Sequence, residues 1–408
     1  MTLVNRFPNL IKILKKGFFV LLGNKLNHYF SNMNLKPTFE HRFTEKWLLW
    51  FEKSNYYSFI DPGLKHATEI FLRTESIEAF QKEIKNFKDY NGIDTLTLYE
   101  QIAAYLSQCN TNVAAHHENL KPLPFDSSCC NFSKNYLINK KRIQINFDDE
   151  FTFDLLHHPI AHYNTEDTSE QATHFYVYCK EDHIYLYKDE ELLSCVSKTD
   201  SHYIQGKFSM HLVCTVHSNN ESDWVGTLHA STVAYNNKAV MLIGDSGSGK
   251  STLTAILAAS GFELVADDIS PLDEKSTTVG FNPNAISIKE GAFKILTNYH
   301  KTLTDLPTVI LSAFKGKIKH LPLALPRMNL YPCNHMVLVS YKAAADTELV
   351  TISVDQALAT LIPESWLSKH NKHARVFIDW LSKIRFYKLI YGKNEEAVGV
   401  LKELTEEL

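Results

Sequence analysis

The stretch from Lys238 to Asp268, KAVMLIGDSGSGKSTLTAILAASGFELVADD, decides the fold of this chain. Its short apolar run at 239–243 predicts a buried strand. The run leads directly into Gly244, four further residues and then Gly249-Lys250-Ser251, which is the pattern of a phosphate-binding loop. A helix is predicted at 251–259, with its positive amino-terminal end directed at the same phosphates. Strand, loop and helix therefore follow one another in the order that a nucleotide phosphate site requires.

Each residue type in the loop has its own chemical role. Glycines allow backbone N–H groups to surround a phosphate without a Cβ atom in the way. Lys250 would place its charge on the β- and γ-phosphates, and Ser251 would offer its hydroxyl to Mg²⁺. ATP and Mg²⁺ are the expected cofactors. The predicted nucleotide-binding residues are Gly244, Asp245, Ser246, Gly247, Ser248, Gly249, Lys250, Ser251 and Thr252.

A second apolar strand, at 262–266, ends on the acid pair Asp267-Asp268. The helix before it has room for only about three turns, so we expect this strand to return directly beside the loop strand. Two carboxylates at that strand end would lie near the γ-phosphate. One would hold Mg²⁺ and the other would accept a proton from an attacking hydroxyl. The alternative is an acidic turn in solvent.

Residues 244–251, together with Val265-Ala266-Asp267-Asp268, resemble the catalytic domain of HPr kinase/phosphorylase and its relatives. That family has a fold similar to phosphoenolpyruvate carboxykinase and carries a histidine on a strand upstream of the loop. Here Leu228-His229-Ala230 fits that position. The similarity is good over 227–273 and loose from there to the carboxyl terminus.

The resemblance implies a role for each residue of the pattern. His229 would lie near the acid pair and tune or relay the proton. Lys250 and Ser251 would bind phosphate and metal. Asp267 would be the catalytic base, and Asp268 would be the partner of Ser251 on the metal side.

The chain departs from the family in two places. Ala285-Ile-Ser-Ile-Lys-Glu-Gly291 stands where HPr kinases carry a glycine-rich signature, and the amino-terminal half does not look like the usual regulatory domain. Both departures argue against HPr as the substrate. The chain looks more like the broader group of HPr kinase-related kinases, some of which act on a serine in a peptide or on free serine. Lys289, Glu290 and Arg327 are open candidates for joining the site.

Patterning along the 408 residues predicts three regions. They are a basic amphipathic segment at 1–35, a helical domain with a linker at 36–135, and an ATP-binding catalytic domain at 136–408. The fold class is α/β, with a P-loop-containing mixed sheet of the HPr kinase/phosphoenolpyruvate carboxykinase type after a mainly helical amino-terminal domain. In the helical domain Trp47, Leu48, Trp50 and Phe51 form one apolar face. Residues 142–147, 174–178, 183–187 and 211–216 alternate like strands that lead into the loop-bearing sheet.

Composition excludes several function classes. The net charge of −4 gives no basis for nucleic-acid binding. The apolar run at 17–22 is far too short to span a bilayer, although contact of residues 1–25 with a membrane surface is an alternative to packing on protein. Seven cysteines, an odd number without a CxxC pattern, predict free thiols and a cytoplasmic location. A homo-oligomer is expected.

The function predicted from these observations is a Mg²⁺- and ATP-dependent kinase that transfers the γ-phosphoryl group to a hydroxyl. The expected acceptor is a serine of a peptide or protein, or a small molecule such as free serine. Two alternatives stay open. One is a nucleotide-binding regulator or scaffold with little turnover, and the other is a carboxykinase-like metabolic enzyme.

Overall fold

A computed structural model describes residues 35–111, 123–167, 171–310 and 316–406. The amphipathic segment predicted before Leu35 lies outside this description. Within the described residues the chain forms two compact units, the first containing 35–111 and Lys369–Ile378 and the second containing the remainder. The architecture is mixed α/β, as predicted, with several mixed sheets. No helix in the described ranges is both long enough and apolar enough to cross a bilayer.

The first unit opens with a sheet and continues with helices. Its antiparallel strands are β1 Phe39–Phe43, β2 Lys46–Phe51 and β3 Tyr56–Ile60. Its helices are α1 Pro62–Arg73, α2 Ile77–Ile84 and α3 Thr95–Cys109. The prediction of a helical face at Trp47–Phe51 is wrong, because these residues form β2. A short, nearly continuous apolar run has no period that separates a buried strand from a buried helix.

The second unit contains the other sheets of the described chain. Its strands are β4 Phe132–Ile138, β5 Lys141–Phe147, β6 Asn164–Thr165, β7 Thr173–Lys180, β8 His183–Lys188, β9 Glu191–Ser197, β10 Trp224–Leu228, β11 Ser231–Tyr235, β12 Lys238–Ile243, β13 Glu263–Ala266, β14 Ser270–Asp273, β15 Val279–Gly280, β16 Ile286–Lys289, β17 Val309–Ile310, β18 Lys317–Leu321, β19 Leu330–Tyr331, β20 Cys333–Tyr341, β21 Glu348–Thr351, β22 Trp366–Leu367 and β23 Arg385–Tyr391. The remaining helices are α4 Glu150–Leu156, α5 Ser201–His217, α6 Lys250–Ala259, α7 Phe293–Leu296, α8 Val354–Leu361, α9 Asn371–Leu381 and α10 Asn394–Glu406. The first eight residues of α9 belong to the first unit.

A six-stranded sheet in the order β6-β4-β5-β7-β8-β9 packs against α4 and α5. The strand predicted at 211–216 is wrong, because these residues lie in α5. Ile204, Phe208, Leu212 and Val216 are buried at four-residue spacing along that helix, so the helical period of the longer segment prevails over the local alternation. The sheet is also separate from the sheet that carries the loop, contrary to expectation.

The loop-bearing sheet has the order β13-β11-β12-β20-β23-β21. Strands β12, β20 and β23 run parallel, whereas β11 is antiparallel to both β12 and β13. The expectation that β13 lies directly beside β12 is therefore wrong, because β11 lies between them. A two-residue turn at Asn236-Asn237 joins β11 to β12, and both residues have positive φ, 51° and 64°. This is the type I′ geometry that hairpins favour.

Helices α6 and α10 cover this sheet. Leu253 and Leu257 of α6 share one buried cluster with Leu401 of α10 and with Val240 and Leu242 of β12. Burying full aliphatic side chains contributes roughly 1.5–3 kcal/mol each. The strand that ends in the loop and the helix that follows it are thus held by the same core.

Two chain segments pass from one sheet to another at the same place. Strand β10 belongs to a five-stranded sheet, β19-β15-β14-β10-β22, and the chain enters β11 of the loop-bearing sheet after residues 229–230. After β13 the chain leaves the loop-bearing sheet, passes through residues 267–269 and enters the five-stranded sheet as β14. Thr232 pairs with Ala266 before the second crossing, and Leu228 pairs with Ser270 after it. The two crossings therefore lie side by side, and each carries predicted site residues.

Candidate active site

The predicted phosphate-binding loop occupies residues 244–249, between the end of β12 and the start of α6. Ser251 and Thr252 lie in the first turn of α6, which begins at Lys250. A Cβ atom at Gly244 would lie 2.4 Å from Ser248 Oγ, and Gly249 has a φ of 95°. These two positions explain why the loop needs glycine: one lacks room for a side chain and the other needs a left-handed backbone.

Three predicted residues form a triangle above the end of the sheet. Lys250 Nζ lies 3.4 Å from His229 Nε2 and 3.7 Å from Asp268 Oδ1. His229 Nδ1 lies 3.4 Å from the same Asp268 oxygen. Lys250 is buried, whereas the Asp268 side chain is 63% exposed. A buried cation, a histidine and a solvent-accessible carboxylate thus meet at one place.

His229 lies on the crossing between β10 and β11 rather than within a strand. Its backbone N–H donates to Ser365 Oγ at 2.9 Å, and Ser365 Oγ in turn donates to the carbonyl of Leu361 at 2.7 Å. The crossing is therefore anchored to the end of α8. Nothing in the local sequence around Ser365 indicated this contact, because the two residues are far apart along the chain.

Asp267 is only 2% exposed, and its oxygens already have partners. Ser231 donates to Oδ1 in a short hydrogen bond, and the Ser287 backbone N–H donates to Oδ2 at 3.2 Å. Ser251 Oγ, at the start of α6, lies 3.5 Å from Oδ1. Burial raises the pKa of Asp267, and the charge of Asp268 raises it further, whereas the Lys250 ammonium acts in the opposite direction.

The two acids consequently differ in their surroundings. Ser251 contacts Asp267, whereas sequence reasoning paired it with Asp268. Asp268 instead faces His229 and Lys250, with its backbone at a positive φ of 65° that turns the chain out of β13. No cluster of three or more His, Cys, Asp or Glu residues suited to a metal occurs in the described ranges. A hydroxyl beside one carboxylate nevertheless suits Mg²⁺, which takes few protein ligands when phosphates and waters complete its shell.

The three candidates that the sequence left open differ in whether they contact the loop. Lys289 Nζ donates to Ser246 Oγ of the loop at 3.0 Å. Glu290 instead pairs with Lys317 at 3.0 Å. Arg327 Nη2 pairs with Glu263 Oε1 at 2.7 Å, and Glu263 begins β13, at the end of that strand opposite Asp267. Only Lys289 of these three contacts the loop.

Comparisons with known proteins find a distant structural likeness and no match in sequence. No family model and no curated protein sequence matches this chain. A structure of the HPr(Ser) kinase/phosphatase from Coxiella burnetii is similar at 13% identity, covering 45% of this chain and 99% of that chain with a TM-score of 0.22. A likeness at this TM-score is too distant to carry an argument about function.

Proposed function

We propose that this protein is a Mg²⁺-dependent phosphotransferase that moves the γ-phosphoryl group of ATP to a hydroxyl. The observation that carries the proposal is the convergence of Lys250, Ser251, Asp267, Asp268 and His229 at the carboxyl end of β12. Binding sites of open α/β sheets form outside the carboxyl ends of parallel strands. The residue types at this place match the requirements of phosphoryl transfer, where catalysis is mainly positioning and charge stabilisation.

The phosphates would be held from two sides. Lys250 extends from the first residue of α6, whose amino terminus carries partial positive charge. Lys289 reaches the loop at Ser246 from the end of β16 and would add a second cation. Both ammonium groups would oppose the negative charge of the triphosphate and of the transition state.

Ser251 and Asp267 would hold the metal. The Ser251 hydroxyl and the Asp267 carboxylate are 3.5 Å apart, and both are hard oxygen ligands. Bound there with ATP, Mg²⁺ would supply neutralising charge to the phosphoryl oxygens. Ser231 and the Ser287 N–H would keep the carboxylate oriented, as partners behind a ligand commonly do.

Asp268 would act as the base. It is the exposed acid of the pair, so an acceptor hydroxyl can reach it, whereas the oxygens of Asp267 are enclosed. In this step the hydroxyl gives its proton to Asp268, its oxygen bonds to the γ-phosphorus, and the bond to the β,γ-bridging oxygen breaks to release ADP. His229, 3.4 Å from Asp268, would orient the carboxylate.

This assignment exchanges the roles that the family resemblance implied for the two acids. The exchange rests on accessibility and on the contact between Ser251 and Asp267. The acceptor itself is proposed from the resemblance: a serine of a peptide or protein, or free serine.

Incubation with γ-labelled ATP and Mg²⁺ tests the proposal. Serine, serine-containing peptides and cell lysate would be offered as acceptors, with oxaloacetate included to detect carboxykinase-like turnover. We expect label to move to a hydroxyl acceptor and Lys250→Ala to abolish the transfer. Absence of ATP binding by the purified full-length chain would refute the proposal.

The exchanged roles need a separate comparison. Asp268→Asn should bind Mg-ATP almost normally and transfer phosphate poorly, whereas Asp267→Asn should raise the Mg²⁺ concentration needed for binding. The opposite pattern would restore the original assignment. Lys402→Ala, a change on α10 where the lysine lies over Tyr235, is a control that removes a cation outside the site.

A further inference from the structure

An exposed aromatic ring stands directly beside the loop. Tyr341 ends β20, the parallel neighbour of β12, and is 47% exposed. An ideal Cβ at Gly249 would lie 3.2 Å from Tyr341 Cβ, so the side chain begins at the loop backbone. Large aromatic side chains lose much hydrophobic free energy when left in water. Because this ring stands beside the loop, covering it would favour the binding of a ligand that the loop holds.

The ring is held by a rigid framework. The Tyr341 backbone N–H donates to the Ser248 carbonyl of the loop at 3.2 Å. Its ring packs edge-to-face on buried Tyr391, with centroids 5.4 Å apart and planes at 65°. The Lys342 N–H donates to the Tyr391 carbonyl at 2.9 Å, which joins the ends of β20 and β23. The ring therefore keeps a fixed place relative to the phosphate loop.

The order of strands indicates how a bound nucleotide would be oriented along the edge of the sheet. The acids reach the loop from β13, on the β11 side of β12, and that side would hold the γ-phosphate. Tyr341 lies on the opposite side, at the end of β20. The loop follows β12, and Tyr341 and Tyr391 are the last residues of its parallel neighbours β20 and β23. All three thus lie at the carboxyl ends of adjacent parallel strands, where open α/β sheets bind ligands. A nucleotide with its terminal phosphate at the acids would extend its nucleoside toward Tyr341.

We propose that Tyr341 forms the nucleoside subsite, where the base of the bound nucleoside triphosphate stacks on its exposed ring. The inference rests on the proposed function, because it needs the triphosphate in the loop. Stacking of a base on an aromatic side chain tolerates different bases, since each has a π face. The subsite thus selects for a nucleotide over a simple polyphosphate, more than for one base over another.

The test measures dissociation constants of the full-length chain for Mg-ATP and for magnesium tripolyphosphate, which lacks the nucleoside. Tyr341→Ala should weaken ATP binding by about 5- to 150-fold, from the usual strength of base stacking. It should leave tripolyphosphate binding unchanged. Tyr341→Phe should retain ATP affinity, because the ring remains. Tyr203→Ala serves as the matched control, since Tyr203 of α5 is 48% exposed.

The outcomes separate the two proposals. Unchanged ATP affinity in Tyr341→Ala, with binding still lost in Lys250→Ala, overturns the nucleoside subsite and leaves the phosphotransferase intact. Equal weakening of ATP and tripolyphosphate also overturns it, because the loop itself would then be disturbed. A higher KM for the acceptor alone would assign the ring to the acceptor and overturn the inference. Failure of the wild-type chain to bind ATP removes both proposals.

Discussion

His320 on β18 is expected to make the second unit sensitive to mild acid. The residue is only 9% exposed, and neither ring nitrogen has a hydrogen-bond partner among the described residues. Its ring lies parallel to that of His158, with centroids 6.3 Å apart. Burial, together with a smaller contribution from charge on His158 and His162, lowers the pKa of His320 from 6.5 to about 4.

The direction of the effect follows from proton binding. The unfolded chain takes up a proton at His320 near pH 6.5, whereas the folded chain resists it until about pH 4. Stability from the neutral form is therefore complete above pH 6.5 and is lost as the pH falls toward 4. Between pH 7 and pH 5 the difference in proton binding amounts to about 2 kcal/mol for this residue alone.

Urea unfolding of the full-length chain at pH 7 and pH 5 measures this loss. His320→Phe keeps a ring in the core and removes the titrating group, so its unfolding free energy should fall by about 2 kcal/mol less than that of the wild type. His202→Phe, at an exposed position on α5, is the matched control and should keep the wild-type pH dependence. Identical pH dependence in His320→Phe and the wild type would refute the expectation.

Three further changes probe the loop and the acids. Asp268→Asn should lower kcat about 10²- to 10⁴-fold, the usual contribution of a general base, and a kcat near the wild-type value would exclude that role. Lys289→Ala should weaken ATP binding about fivefold, as expected for an exposed cation that contributes about 1 kcal/mol. Titration calorimetry measures this change, and unchanged binding would show that Lys289 contacts Ser246 without contributing to nucleotide binding. Gly244→Ala should weaken ATP binding, because its Cβ would lie 2.4 Å from Ser248 Oγ, 3.1 Å from Ser248 Cβ and 3.3 Å from the Val339 carbonyl oxygen, so the loop must shift. Ser248→Ala in that background should recover part of the affinity by removing the first of these contacts. Normal binding by Gly244→Ala alone would show that the loop adapts.

Local patterns predicted the elements around the loop closely. Strand β12, helix α6 and strand β13 lie within a residue of their predicted positions, because apolar runs and glycines mark their ends. A capping box of Ser353 and Gln356, a pattern of residues three apart, likewise opens α8. These features depend on neighbouring residues alone.

Features that depend on distant residues were not predictable in the same way. The position of β11 between β12 and β13 follows from strand pairing, which a short connection does not determine. Ser287 and Ser365 reach the site from other elements, with no signal in their surroundings. Ser231 lies nearer to a recognisable pattern, since it follows His229 by two residues in the segment that resembles the kinase family.

The hairpin turn at Asn236-Asn237 has a consequence for evolution and engineering of the site. The turn lies at the end of β11 and β12 that is remote from the loop. Its length nevertheless fixes which residues of the two strands pair, and it therefore places Ser231 opposite Leu242 near the end of β12. Inserting one residue there would slide one strand past the other and turn its side chains to the opposite face. Asp267, the proposed metal ligand, would then lose the hydroxyl of Ser231 through a change made well away from it. The number of residues in this exposed turn is thus more tightly constrained than its position in solvent suggests.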